Sequence, residues 1–192
     1  MKAPSQMSRT AILVEAALMV ALSFVLSLIP FFELPWGGSI TCFSTLPIIL
    51  VSLRHSSKWG LATATVYGFL QMLQGIDNVV AAKTLPAMVL CALLDYILAY
   101  ACVGLTGAIA RRFKNPTAGL AGGIVATGLM RLACSFLSGI LIWGAWAPEG
   151  VSVWWYSLSY NMGWCLPDVA IVLVAALLLS RVKALHLLPE QG

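Results

Sequence analysis

Charge is what this chain has least of. Asp, Glu, Lys and Arg together make up 9% of its 192 residues, against 60% hydrophobic residues, and its mean hydropathy is +0.93. That balance excludes a soluble domain and fits an integral membrane protein. Metal and redox chemistry are poorly provided for. The two histidines, His55 and His186, lie in different segments, and the five cysteines (Cys42, Cys91, Cys102, Cys134, Cys165) sit in apolar stretches with no C-x-x-C pair. They read as small packing residues, with no metal site and no disulfide framework. Also missing are a G-x-x-x-x-G-K-[ST] loop, an H-E-x-x-H pair and a G-x-S-x-G turn. If the protein drives uphill transport, the nucleotide chemistry therefore belongs to another subunit. Nor is there an inverted repeat between the halves of the kind secondary transporters show. The length suits a single transmembrane domain over 1–192, with no additional catalytic module.

The apolar stretches predict an all-α bundle of six transmembrane helices, over roughly 10–32, 39–53, 59–76, 84–110, 117–143 and 155–180. Charge sets their orientation. Lys2, Arg9, Arg54, Lys58, Arg111, Arg112, Lys114, Arg181 and Lys183 all fall at the termini or in the even-numbered loops, while only Lys83 lies on the other side. By the positive-inside rule both termini are cytoplasmic. The net charge of +4 thus reflects topology and gives no support to a nucleic-acid partner. The first span follows the N-terminus without a small-residue cleavage site and reads as a retained helix.

Ionisable groups inside a bilayer are costly and need a partner or a function. Asp95 interrupts the fourth span, Arg131 the fifth and Asp168 the sixth. Glu15, near the inner end of the first span, can snorkel to water. At about 1.5 Å per residue, Asp95 lies roughly 16 Å below the outer end of its span, and Arg131 and Asp168 each near 20 Å below theirs. Similar depth on consecutive helices points to an Arg131–Asp168 ion pair, which leaves Asp95 with no obligatory protein partner. The alternative pairs Asp95 with Arg131.

Helical spacing adds two polar stripes. One holds Arg131, Ser135, Ser138 and Gly139; the other holds Ser157, Asn161, Trp164 and Asp168, with Tyr156 and Tyr160 adjacent. Serines on such faces commonly bond a neighbouring helix, whereas Asn161 lies among aromatics near the outer surface and is the better ligand candidate. Small-residue pairs mark helix contacts: Ala17 with Ala21, Gly60 with Ala64 and Gly68, and Gly119 with Gly123. Internal packing is their default reading.

Five of the seven tryptophans fall between Trp143 and Trp164. Tryptophan collects at membrane interfaces, but a belt should decorate both, and the opposite side has little more than Trp59. A one-sided cluster beside intramembrane charge suggests a box for a flat or cationic ligand. A lopsided belt is the alternative.

These residues resemble a known family. Ser27-Leu-Ile-Pro30 followed by Trp36, Pro47-Ile-Ile-Leu-Val-Ser-Leu-Arg54, and Asp95-Tyr96 are the earlier blocks. Ser135-Phe-Leu-Ser-Gly-Ile-Leu-Ile-Trp143, Ala147-Pro-Glu-Gly150 and Tyr156-Ser-Leu-Ser-Tyr-Asn161 complete them. In this order they resemble the S components of energy-coupling factor (ECF) vitamin transporters, and among these the thiamine-specific family. The resemblance implies a non-enzymatic binding protein of the prokaryotic plasma membrane, open to the outside. It has no cofactor of its own, since ATP is used by two partner ATPase subunits that drive a shared ECF transmembrane subunit. It implies a ligand sandwiched between Trp36 and Trp143, with Asp95 as an acidic contact followed by Tyr96. Tyr156 and Asn161 would be polar contacts and Gly139 a close backbone approach, while Ala17 and Ala21 would dock on the transmembrane subunit.

Such a site suits thiamine, a flat aminopyrimidine joined to a permanently cationic thiazolium. Indole faces attract a cation by about 0.5–2 kcal/mol each when desolvated, and a carboxylate balances its charge or accepts from the pyrimidine amine. One departure stands out: Ser135 occupies the position where the family usually has histidine before Phe-x-x-Gly. A related pyrimidine or another vitamin is therefore the alternative ligand. An intramembrane lipid-modifying enzyme built on Asp95, Arg131 and Ser135 is a further alternative, disfavoured because no nucleophile–base pair or metal set is present.

Overall fold

The computed structural model describes residues 8–33, 39–41 and 43–182. Trp36 and Cys42 lie outside the described residues. The chain is almost entirely helical. Helix α1 (Arg9–Ser27) starts where the Ser8 hydroxyl accepts from the Ala11 amide at 3.2 Å, which satisfies one of the free amides of a first turn. After it come strands β1 (Pro30–Glu33) and β2 (Ser39–Thr41), then α2 (Leu46–Arg54), α3 (Ser57–Gln74) and the short α4 (Ile76–Ala81). The fourth apolar stretch is segmented into α5 (Leu85–Cys91), a π-helix (Ala92–Leu98), α6 (Ala99–Val103) and α7 (Thr106–Ala110). Helix α8 (Pro116–Leu141), a 3-10 turn (Trp143–Trp146) and α9 (Val153–Ser180) complete the bundle.

Four helical stretches are long and apolar enough to cross a membrane: Arg9–Ser27, Leu85–Val103, Pro116–Leu141 and Val153–Ser180. Their outward faces carry Leu13, Leu18, Leu85, Leu141 and Val174, all exposed. A surface of this kind belongs in lipid. The apolar stretch from 39 is not one continuous helix. Its first residues form β2, paired antiparallel with β1 through Phe32↔Ile40 and Glu33↔Ser39, and the helix begins only at Leu46. The first span likewise ends at Ser27 and not near 32. Both departures have one cause: Pro30 lacks the amide that a continuing helix needs, while the following apolar residues suit a strand equally well.

The helices approach closely where they lack side chains. A Cβ on Gly60 would lie 2.5 Å from the Gly104 carbonyl oxygen, and one on Gly123 2.7 Å from that of Thr106. These small-residue pairs are internal contacts, as their spacing suggests. Ser52 repairs the break between α6 and α7. Its hydroxyl donates to the Gly104 carbonyl at 2.7 Å and accepts from the Gly107 amide at 2.8 Å, satisfying backbone groups that lipid cannot. Arg111 donates to the carbonyls of Ser52 and His55 at 3.4 and 3.3 Å, closing the C-terminal end of α2. Glu15 does not snorkel to water. Arg54 and His55 hold it at 2.6 and 3.0 Å, tying α1 to the end of α2.

Candidate functional site

Asp95 lies inside the π-helix. Such insertions shift the helical register and frequently mark functional positions. One carboxylate oxygen, Oδ2, accepts from Ser138 Oγ at 2.5 Å, from Trp143 Nε1 at 3.3 Å and from Cys91 Sγ at 3.5 Å. The π-helix, α8 and the 3-10 turn thus converge on a single acid. None of the ion pairs formed among the described residues includes Asp95. Its charge is held by neutral donors only, so a ligand bringing a cation or an amine would complete the site.

The adjacent polar layer is complete in itself. Arg131 donates to Asp168 Oδ2 through Nη1 at 2.8 Å and to the Tyr100 hydroxyl through Nη2 at 3.2 Å. Its guanidinium carbon lies 4.6 Å from the Tyr100 ring centroid and 4.7 Å from that of Trp164, within cation–π range. The ion pair inferred from matching depth is therefore formed, and Arg131 is not paired with Asp95.

The aromatic cluster divides. Trp146, Trp154 and Trp155 are 63%, 64% and 64% exposed, as interface residues are, with the Trp154 ring edge to face on Phe136 of α8 at 5.6 Å. Trp143 and Trp164 are half-buried and bond Asp95 and Asn161 respectively. The tryptophans thus divide into exposed residues and two that bond polar groups of the bundle.

Among the sequence-derived candidates, the structure brings Asp95 and Trp143 into direct contact. Ser135, Gly139, Tyr156 and Asn161 gather along the α8–α9 seam. Asn161 donates to the carbonyls of Ser157 and Ser135 at 2.8 and 3.3 Å, and its Oδ1 accepts from Trp164 Nε1 at 3.2 Å. Tyr156 stacks on Tyr160, with ring centroids 6.1 Å apart. The close approach at Gly139 is made by α9: an added Cβ would overlap the Ser157 hydroxyl and lie 2.9 Å from its Cβ. Tyr96 diverges from Asp95, donating to the Gly75 carbonyl at 3.1 Å and accepting from Asn78 at 3.3 Å. Successive residues on a helix point in different directions, which separates it from its acidic neighbour. Trp36 lies outside the described residues. Ala17 and Ala21 are exposed, so the internal-packing reading of that pair does not hold among the described residues.

Ser138 and Cys91, which bond Asp95, escaped the candidate list. Ser138 shares the α8 stripe with Arg131, which was the available signal. Nothing in the spacing of Cys91, Asp95 and Tyr100 announces a π-helix.

Residues 13–187 match the family described as thiamine transporter protein (Thia_YuaJ). Thiamine transporter ThiT of Bacillus subtilis (strain 168) is 32% identical over 178 residues, covering 87% of this chain and 88% of the relative. Thiamine transporter ThiT of Lacticaseibacillus paracasei is 28% identical over 204 residues, covering 97% and 95%. The solved structure of ThiT from Listeria monocytogenes shares the fold, with a TM-score of 0.74 and 23% identity over 94% of this chain and 99% of that one. A solved S component of a bacterial ECF transporter does so with a TM-score of 0.64 and 20% identity, over 92% and 97%. The chain belongs to the thiamine transporter protein family.

Proposed function

We propose that this chain is the substrate-binding S component of an ECF importer, capturing thiamine at its outer end and passing it to an ATP-driven partner module. The observation that carries the reading is Asp95: an acid held by Ser138 and the Trp143 indole N–H, and included in no ion pair among the described residues. Thiamine supplies what this arrangement lacks, a fixed positive charge and an exocyclic amine on flat rings. Trp143 presents an indole beside the acid, and Trp36 is the proposed second ring. Ser135, Gly139, Tyr156 and Asn161 form the seam against which the pyrimidine would lie, with Tyr96 bracing the neighbouring segment. The names of the relatives from Bacillus subtilis and Lacticaseibacillus paracasei and the S-component fold support the same reading. Membership in a transporter family removes the intramembrane-enzyme alternative.

The proposed topology has six membrane crossings with both termini in the cytoplasm of a bacterial cell. Helices α2 and α3 contribute two crossings beside the four longer stretches. Helix α2, with nine residues, rises only about 13 Å. It would cross as part of a compound element with the β1–β2 hairpin. ATP is consumed by partner subunits, and this chain carries no cofactor. Exposure of Ala17 and Ala21 on α1 supports their role as the docking stripe for the shared transmembrane subunit, since small residues let helices approach closely.

Native mass spectrometry of the purified protein, offered thiamine and hydroxymethylpyrimidine together, tests the ligand. A one-to-one thiamine adduct is expected. An adduct with the pyrimidine alone would mean that Ser135 has reshaped the pocket, and no adduct with either would refute the proposal.

A further inference from the structure

A continuous polar chain runs from the candidate site to the outer end of α1. It begins at Asn161, whose Oδ1 accepts from Trp164 Nε1 at 3.2 Å. The Trp164 ring lies 4.7 Å from the guanidinium carbon of Arg131, and Arg131 Nη2 donates to the Tyr100 hydroxyl at 3.2 Å. That hydroxyl donates onward to Gln71 Oε1 at 3.2 Å. Gln71 Nε2 then donates to Ser27 Oγ at 2.8 Å, at the last residue of α1. Ser27 Oγ in turn reaches the Phe24 carbonyl at 2.7 Å and Gln74 Oε1 at 3.0 Å. The donors from Arg131 to Ser27 all point one way, an arrangement in which successive hydrogen bonds polarise one another. Five helical segments (α9, α8, α6, α3 and α1) meet along this path.

We infer that Tyr100 and Gln71 are positioning residues that couple ligand occupancy at the α8–α9 seam to the outer end of α1. The inference rests on the proposed thiamine-binding role. Arg131 is anchored on α9 by Asp168 at 2.8 Å, so a displacement of Asn161 or Trp164 by ligand reaches the Arg131–Tyr100 contact through α9 itself. Packing supports the path from the side: the Tyr100 and Tyr67 rings meet edge to face at 5.0 Å, and the Tyr67 hydroxyl approaches the Ser23 carbonyl of α1 at 3.5 Å. A glutamine on a membrane helix that bonds Tyr100 on one side and Ser27 on the other is placed to join two elements. The test of such coupling reads both ends of the chain.

Hydrogen–deuterium exchange of the full-length detergent-purified protein, with and without saturating thiamine, provides that readout. In the wild type, thiamine should slow exchange at 22–29 and, at the site itself, at 141–150. Y100F keeps the ring over Arg131 but removes the hydroxyl, and Q71L removes the glutamine's bonds to Tyr100, Ser27 and Gln74. In both variants protection at 141–150 should persist and affinity should stay within about tenfold of wild type, while protection at 22–29 is lost. Wild-type protection at 22–29 retained in the variants would overturn the inference and leave the thiamine reading intact. Should Q71L fail to fold, Y100F decides alone. No thiamine binding by the wild type would overturn both.

Discussion

Arg131 is committed to Asp168. Their 2.8 Å ion pair joins α8 to α9, and it takes away the only intramembrane arginine that the sequence offers to Asp95. The two acids therefore have different physical roles. Asp168 has its counterion built in, while Asp95 is held by a hydroxyl, an indole and a thiol. An ion pair inside a bilayer contributes to stability only while both members are present.

Asp95→Asn should therefore weaken thiamine binding by at least about 1.5 kcal/mol, the low end for a charge-assisted hydrogen bond, without unfolding the protein. Calorimetric titration and a thermal melt of the same sample check both halves. Wild-type affinity in the variant would remove Asp95 from the site.

Asp168→Asn should act in the opposite sense. Removing one member of the buried pair leaves Arg131 uncompensated, a loss on the order of 3–5 kcal/mol. The melting temperature in detergent should fall far below that of Asp95→Asn. Equal melting temperatures for the two variants would contradict the division of roles.

Ser135→Ala and Ser135→His test the pocket. The serine carbonyl is already bonded by Asn161 at 3.3 Å, an interaction that survives the loss of the hydroxyl. The alanine variant should bind thiamine within a few-fold of wild type. The histidine variant should bind at least as tightly if the pocket follows the family pattern. Fluorescence titration distinguishes the cases, and loss of binding in Ser135→His would indicate a pocket shaped for another ligand.

Much of this arrangement was legible in the sequence because a helix repeats every 3.6 residues. The stripe Ser157, Asn161, Trp164, Asp168 turns inward as its spacing required, with Ser157, Asn161 and Asp168 buried. Matching depth alone identified Asp168 as the partner of Arg131. The π-helix around Asp95 was not legible, since no residue type reserves that extra backbone step, and it directs Asp95 toward Ser138 while Tyr96 faces Gly75. The β1–β2 hairpin was hidden because apolar residues suit strand and helix alike. Tryptophan count could not separate Trp143, which reaches Asp95, from Trp154 and Trp155, which stay largely exposed. That choice depends on where α8 ends and α9 begins.

Ala17→Trp and Ala21→Trp separate capture from transport. Both alanines are exposed on α1, so an indole fits there without disturbing the bundle, yet it would hold a partner helix away. Each purified variant should bind thiamine normally. Each should fail to support uptake of labelled thiamine in cells supplying the ATPase and transmembrane subunits. Normal uptake by both would refute the docking role.

The most direct test is a calorimetric titration of the purified wild-type protein with thiamine, with tryptophan fluorescence followed in parallel. Saturable one-to-one binding tighter than about 1 μM, equivalent to roughly −8 kcal/mol, is the predicted result. It should be accompanied by quenching as Trp143 meets the ligand. No heat and no quenching at saturating thiamine would contradict the account.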